Sequence, residues 1–253
     1  MKITFLGTGT SQGVPVIGCK CKVCSSTDPR DKRLRCAMYI ETEDTRIIID
    51  TGPDFRQQLL NNQIQDIDAI LYTHEHKDHV AGLDDVRPIN FLQRKDMPLY
   101  AEERVILALE REFHYAFSEN KYPGVPRLLI NKIDEQPFFI NKTPIIPIRV
   151  MHHRLPILGF RIHDFAYITD ANFIAEQELE KLKNLDVLVL NALRFEKHIS
   201  HFTLSEAVEL VQKLQPKKAY LTHISHLMDR HETINKHLPA NIHLAFDGFQ
   251  FQL

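Results

Sequence analysis

The densest chemistry in the chain is the run Thr73-His74-Glu75-His76-Lys77-Asp78-His79. Four side chains able to bind a metal, His74, His76, Asp78 and His79, fall within six residues. They follow directly on Asp68–Tyr72, whose β-branched and aromatic residues predict a strand. In extended backbone side chains alternate, so His74 and His76 point the same way. Once the chain turns, Asp78 and His79 can face a second position beside the first. Imidazole with carboxylate suits zinc, manganese or iron. Two such ions, about 3.5–4 Å apart, ionise a water between them and stabilise attacking and leaving oxygens, which is what hydrolysis requires.

Cys19-Lys20-Cys21-Lys22-Val23-Cys24 sets three thiols within six residues. Cys-x-Cys is too tight for an ordinary disulfide, which leaves metal binding as the better reading. A closed structural zinc site takes four ligands, commonly three cysteines and a histidine, and no fourth ligand stands nearby in the sequence. Cys36 lies outside this spacing and reads as a small buried hydrophobe. Gly7-Thr8-Gly9-Thr10 lacks the Gly-Lys-Ser/Thr of a phosphate loop and reads as a tight turn that lets backbone pass close by. Lys197-His198-Ile199-Ser200-His201-Phe202-Thr203 places two histidines ahead of a helix capped near Thr203, and imidazole can donate a proton near neutral pH.

The elements that must position these groups alternate along the chain. Strands are expected at 2–6, 37–42, 46–50, 68–72, 186–190, 219–222 and 243–245, with short apolar runs at 127–130, 145–150 and 158–162. Helices are expected at 83–94, 102–117, 174–182, 204–214 and 228–237. Strands in both halves with helices between them suggest sheet layers covered by helices. No linker divides the chain, so residues 1–253 are expected to form a single domain.

The 253 residues are 43% hydrophobic and 25% charged, with a formal net charge of −2, so no overall basic field attracts a polyanion. The N-terminal apolar run stops at Gly7, too short for a signal-peptide core, and no stretch reaches the ~20 apolar residues of a membrane span. A cytoplasmic location is the expectation.

His-x-His-x-Asp-His after a strand resembles the signature of the metallo-β-lactamase superfamily. Other segments match in order: Leu6-Gly7-Thr8-Gly9-Thr10 after the first strand, Ile49-Asp50-Thr51-Gly52, a histidine before the Gly159-Phe160 strand, Ile168-Thr169-Asp170, and Leu221-Thr222-His223. The resemblance runs from residue 3 to about residue 249. It implies an αββα sandwich, two facing mixed sheets flanked by helices, with metals at one edge. It implies that one ion takes His74, His76, His153 and Asp170, and the other Asp78, His79, Asp170 and His223. Of the adjacent His152 and His153, His153 is preferred because it keeps the family's spacing to Gly159. Asp50 would orient the histidine loop through its carboxylate. His114, His163, His231, His237 and His243 have no motif around them and read as structural or surface residues.

Gly13-Val14-Pro15, Gly18-Cys19-x-Cys21-x-x-Cys24 and Thr222-His223-Ile224-Ser225-His226 narrow the resemblance to the cyclic-phosphate phosphodiesterases of bacterial phosphonate degradation. In that subgroup the three cysteines and the second histidine hold a structural zinc, so His226 completes the site. A histidine ahead of the late helix protonates the leaving oxygen, and His201 fits that place better than His198. The resemblance thus implies a phosphodiesterase acting on a small, cyclic ribose phosphate. Asp78 and His201 carry the chemistry, with two divalent ions (zinc or manganese) and one structural zinc. Membrane partners are not expected, nucleic acid is disfavoured, and a homodimer is compatible. The rival readings are a tRNA 3′-end endonuclease, whose long flexible arm has no counterpart here, and a protein like that of pyrroloquinoline quinone biosynthesis. A metal-stapled scaffold without activity would show missing ligands, and none is missing.

Overall fold

Alternation of side chains explains the architecture. In Arg46–Ile49, Ile47 and Ile49 enter one apolar cluster while Ile48 enters another. In Val187–Asn191, Val187 and Val189 pack into the first of these clusters while Leu188 and Leu190 pack into a third. Strands buried on both faces must lie in a sheet covered on both sides. The computed structural model, which describes residues 1–120 and 122–253, has that arrangement.

One sheet contains β1 (Lys2–Gly7), β2 (Ala37–Glu41), β3 (Arg46–Ile49), β4 (Ala69–Leu71), β5 (Met97–Ala101), β6 (Leu128–Lys132) and, beside β1, β15 (Gln250–Gln252). The other contains β8 (Thr143–His152), β9 (Leu155–Ile162), β10 (Phe165–Ile168), β12 (Val187–Asn191), β13 (Lys218–Thr222) and β14 (Ile242–Leu244), with β11 (Phe173–Ile174) beside β8 and β7 (Phe138–Ile140) also pairing with β8. Each sheet is mixed: β1-β2-β3 and β8-β9-β10 pair antiparallel, while β3 to β6 and β10 to β14 run parallel. Ile3, Phe5, Met38 and Leu71 meet Leu158, Phe160, Tyr167 and Val189 between the sheets. The helices Phe55–Asn61, Arg87–Gln93 and Glu103–Glu112 cover one outer face, and Leu204–Leu214 covers the other. The result is the αββα sandwich expected above.

Several elements differ from expectation. The helix expected over 83–94 begins as a 3₁₀ turn, Leu83–Val86, and that over 102–117 breaks at Phe113. The helix expected over 228–237 contracts to His231–Asn235. β5, β7, β11, β15 and the helix Phe55–Asn61 were not expected. β5 contains Pro98, which reads against a central strand. The fold accommodates it because Met97 N–H bonds to Arg127 on the β6 side, while pairing with β4 starts only at Leu99, so no ladder bond is lost at Pro98.

What the fold does for function is to stack strand ends. Asp50 follows β3, His74 follows β4, His152 ends β8, Asp170 follows β10 and His223 follows β13. All lie at C-terminal strand ends on one edge of the sandwich. Close packing there needs glycine: a Cβ on Gly52 would stand 2.1 Å from the Asp78 carbonyl oxygen, and one on Gly7 1.9 Å from that of Arg35. Gly9 bridges both Arg35 and Ile224. The Gly7–Thr10 run is thus the close backbone passage expected, joining the first strand to the His223 segment.

Candidate metal centre

Asp50 organises the histidine loop. Its buried carboxylate accepts from the Thr73 backbone N–H at 2.9 Å, from Thr73 Oγ1 at 2.8 Å and from His79 Nδ1 at 2.7 Å. Bonding at Nδ1 fixes the ring's orientation and points His79 Nε2 inward. His74 is set the same way: its Nδ1 donates to Thr73 Oγ1 at 2.9 Å, and its Nε2 lies 3.1 Å from His76 Nδ1.

Opposite this loop stand Asp170 and His223. His79 Nε2 lies 3.2 Å from Asp78 Oδ2 and 3.4 Å from Asp170 Oδ1, and His223 Nε2 lies 3.2 Å from Asp170 Oδ2. Burial alone would lower the histidines, but the Asp78, Asp170 and Asp50 carboxylates hold His79 well above its ordinary value, and Asp170 and Asp78 raise His223 to about 9. Asp50, Asp170 and His223 adopt left-handed backbone, φ 65°, 58° and 57°. For non-glycine residues this conformation is uncommon and costs on the order of 1–3 kcal/mol each, and such strain gathers at functional sites.

The residues brought together form overlapping groups whose ligand atoms all lie within 4.8 Å of one another: His74, His76 and His152; Asp78, His79, Asp170 and His223; and His152, Asp170 and His201. His79 Nε2 and both ring nitrogens of His223 are buried without a hydrogen-bond partner. Buried polar atoms are rarely left so, and three carboxylates gathered in one place need compensating positive charge. The donor set fits divalent cations.

One expected ligand is corrected. His152, not His153, enters the cluster. His152 Nδ1 donates to the Asp170 carbonyl at 2.7 Å and the Ser200 carbonyl at 3.0 Å, which frees its Nε2. His153 is exposed, and its backbone N–H donates to Asn172 Oδ1. The reason is local. β8 ends at His152, which pairs with Leu155, and His153-Arg154 is the turn, with His153 at φ 57°. The alternation Ile148, Val150, His152 carries the inward face, and that period-two pattern was the available signal.

His201 also lies at this centre. Its Nε2 lies 3.2 Å from Asp170 Oδ2, and its ring stacks on that of His223 at 4.7 Å. Burial pushes it down to about 4, against the pull of Asp170. His198, set aside in the sequence, is also close: its Nδ1 lies 3.0 Å from His201 Nδ1.

The second cluster forms as well. Cys19, Cys21, Cys24 and His226 bring their ligand atoms within 4.8 Å of one another, with Cys19 Sγ 3.3 Å and Cys21 Sγ 3.5 Å from His226 Nδ1. The Cys24 backbone N–H, with help from His226 and Cys19, holds the Cys21 thiol down to about 6, while burial pushes Cys24 up to about 11. Cys36 is buried against Thr222, as expected.

Residues 45–224 match the family described as the Beta-lactamase superfamily domain. The chain belongs to the metallo-β-lactamase superfamily. It is 41% identical to a solved structure titled a new diphosphatase from the PhnP family, with a TM-score of 0.93, covering 100% of this chain and 97% of that one. It is 17% identical to zinc-bound PqqB from Methylobacterium extorquens, with a TM-score of 0.83 over the whole of both chains, a likeness of fold. Over 99% of its length it is 42% identical to an octanoyltransferase of Porphyromonas gingivalis, but it spans only 51% of that protein. The fold of this superfamily implies divalent metal ions, and the histidine and aspartate clusters described above fit them. Among the described residues, no helix is long and apolar enough to cross a membrane.

Proposed function

We propose that the protein hydrolyses a small phosphate diester or anhydride at a two-ion centre. His74, His76 and His152 hold one ion, Asp78, His79 and His223 the other, and Asp170 is shared. The observation that carries this reading is the set of buried, unpartnered imidazole nitrogens converging with Asp78 and Asp170 at the strand ends. Two bound ions supply Lewis acidity to the phosphoryl oxygens and lower the pKa of an attacking water. The chain's own residues do the rest. Asp50 holds His79 and Thr73 in place, and the Asp170 carbonyl orients His152. His201 presents Nε2 beside Asp170, where it can give a proton to the leaving oxygen.

The favoured substrate is a cyclic ribose phosphate. A second reading, cleavage of a diphosphate, draws support from the 41%-identical diphosphatase. Both reactions attack phosphorus and expel an oxyanion, so the centre serves either. We also propose that Cys19, Cys21, Cys24 and His226 hold a structural zinc, that residues 1–253 work as one unit, and that zinc or manganese fills the catalytic pair. The test is a turnover screen over bis(p-nitrophenyl) phosphate, ribose cyclic phosphates, organic diphosphates, a lactone and precursor tRNA. Turnover of phosphate diesters or diphosphates supports the proposal. Turnover of the lactone alone would overturn it, and precursor tRNA as the best substrate would favour the endonuclease reading. Asp170→Ala should abolish turnover, and full activity in that variant would sink the assignment.

A further inference from the structure

Away from the metal edge lies a cavity of about 600 Å³, within the range of small-molecule sites. Three arginines, Arg87, Arg94 and Arg127, line it together with Phe91 and Tyr122. No acidic side chain lines it among the described residues. Its position is set by β5: the C-terminal end of that strand lies at the metal edge, while Met97, at its start, bonds to Arg127. Five residues of strand, roughly 15 Å at about 3.3 Å each, therefore separate the two places.

The floor is built. Asn90 is buried, donates to the carbonyls of Lys95 and Arg127 at 2.9 and 3.0 Å, and accepts from the Arg127 backbone N–H. It fastens the helix Arg87–Gln93 to the start of β6. The walls carry two unspent features. Phe91 is 69% exposed and Tyr122 79%, although their rings would gain by burial. Arg87 is held by Asp84 and Arg127 by Asp96, both from outside the lining, whereas Arg94 has no ion-pair partner among the described residues.

We infer that this cavity binds a nucleoside phosphate, its base against Phe91 and Tyr122 and its phosphate on Arg94 and Arg127. Aromatic faces stack any base, and the guanidinium fork matches phosphate oxygens. Free nucleotides and the phosphorylated end of a single strand share this chemistry. The site is separate from the hydrolytic centre, so it would anchor or regulate rather than react, and the inference does not rest on the proposed substrate.

The test is fluorescence anisotropy of the metal-loaded protein with N-methylanthraniloyl-ADP and, in parallel, a labelled 5′-phosphorylated oligonucleotide. Arg94→Glu and Phe91→Ala are both on the surface, and equal unfolding midpoints will verify that each variant keeps its fold. Each should weaken binding by about tenfold or more, since a charge-assisted contact and a stacked base are each worth roughly that. Each should leave bis(p-nitrophenyl) phosphate turnover unchanged. Tighter binding of the nucleotide identifies a free ligand, and tighter binding of the oligonucleotide identifies a strand end. Affinity for both probes unchanged in both variants, or binding abolished by competition with bis(p-nitrophenyl) phosphate, would overturn the inference.

Discussion

His152 and His153 are adjacent and of one residue type, yet their environments are opposite. One has its Nδ1 tied to two backbone carbonyls and its free nitrogen in the cluster, and the other sits on a left-handed turn facing solvent. His152→Ala should lower kcat/KM by about a hundredfold or more, because even loss of a group that merely orients a ligand costs about 10–100-fold. His153→Ala should stay within about threefold of the parent enzyme, as expected of a surface substitution. Steady-state kinetics on bis(p-nitrophenyl) phosphate with both variants decides it, and the reverse order would return the ligand to His153. The sequence shows the other members of the cluster clearly because four stand in one dense motif after β4, while Asp170 and His223 are each a lone candidate at a strand end. The twin histidines defeat spacing arguments, since only the inward period of β8 tells them apart.

At the scale of elements, legibility followed packing. The helix Leu204–Leu214 was readable because Thr203 and Glu206 form a reciprocal cap and an apolar stripe follows. β5 was not, because Pro98 and a length of five residues hide a strand whose place is set by neighbours far along the chain. The Cys19–Cys24 loop was legible as three clustered thiols, but the fourth member of the cluster, His226, is 202 residues beyond Cys24 and came only from resemblance. The loop is also tied by Lys22 to Asp229 and by Arg230 to the Lys22 carbonyl. Cys21→Ser and His226→Ala should each release one zinc per chain by metal analysis and lower the unfolding midpoint by several degrees. Both follow because losing a structural ion removes binding free energy from the folded state. Because His226 is three residues from His223, its variant should lose more activity than Cys21→Ser. Unchanged metal content in both variants would remove the structural zinc from the account.

For the whole molecule, acid stability has a probe outside both metal clusters. His231 is 3% exposed, and its Nδ1 accepts from Arg33 Nη2 at 3.3 Å. Burial, then the charges of Arg33 and Arg30, push it from 6.5 down to about 4. A histidine lowered in the folded state stabilises fully above its unfolded value and loses that contribution as pH falls from 6.5 through about 4. After allowance for solvent screening, the loss is on the order of 1–2 kcal/mol. Urea unfolding of the parent and of His231→Gln across this window should show the slope in the parent and a flatter course in the variant; parallel slopes would refute it. The largest-scale feature is the seam between the ends of the chain. β1 and β15 pair antiparallel, and Met1 and Leu253 exchange two backbone hydrogen bonds, 2.8 and 2.9 Å, across 252 positions of sequence. Without β15, β1 would present a bare row of backbone donors and acceptors to any passing strand, so this seam also guards the molecule against edge-to-edge aggregation.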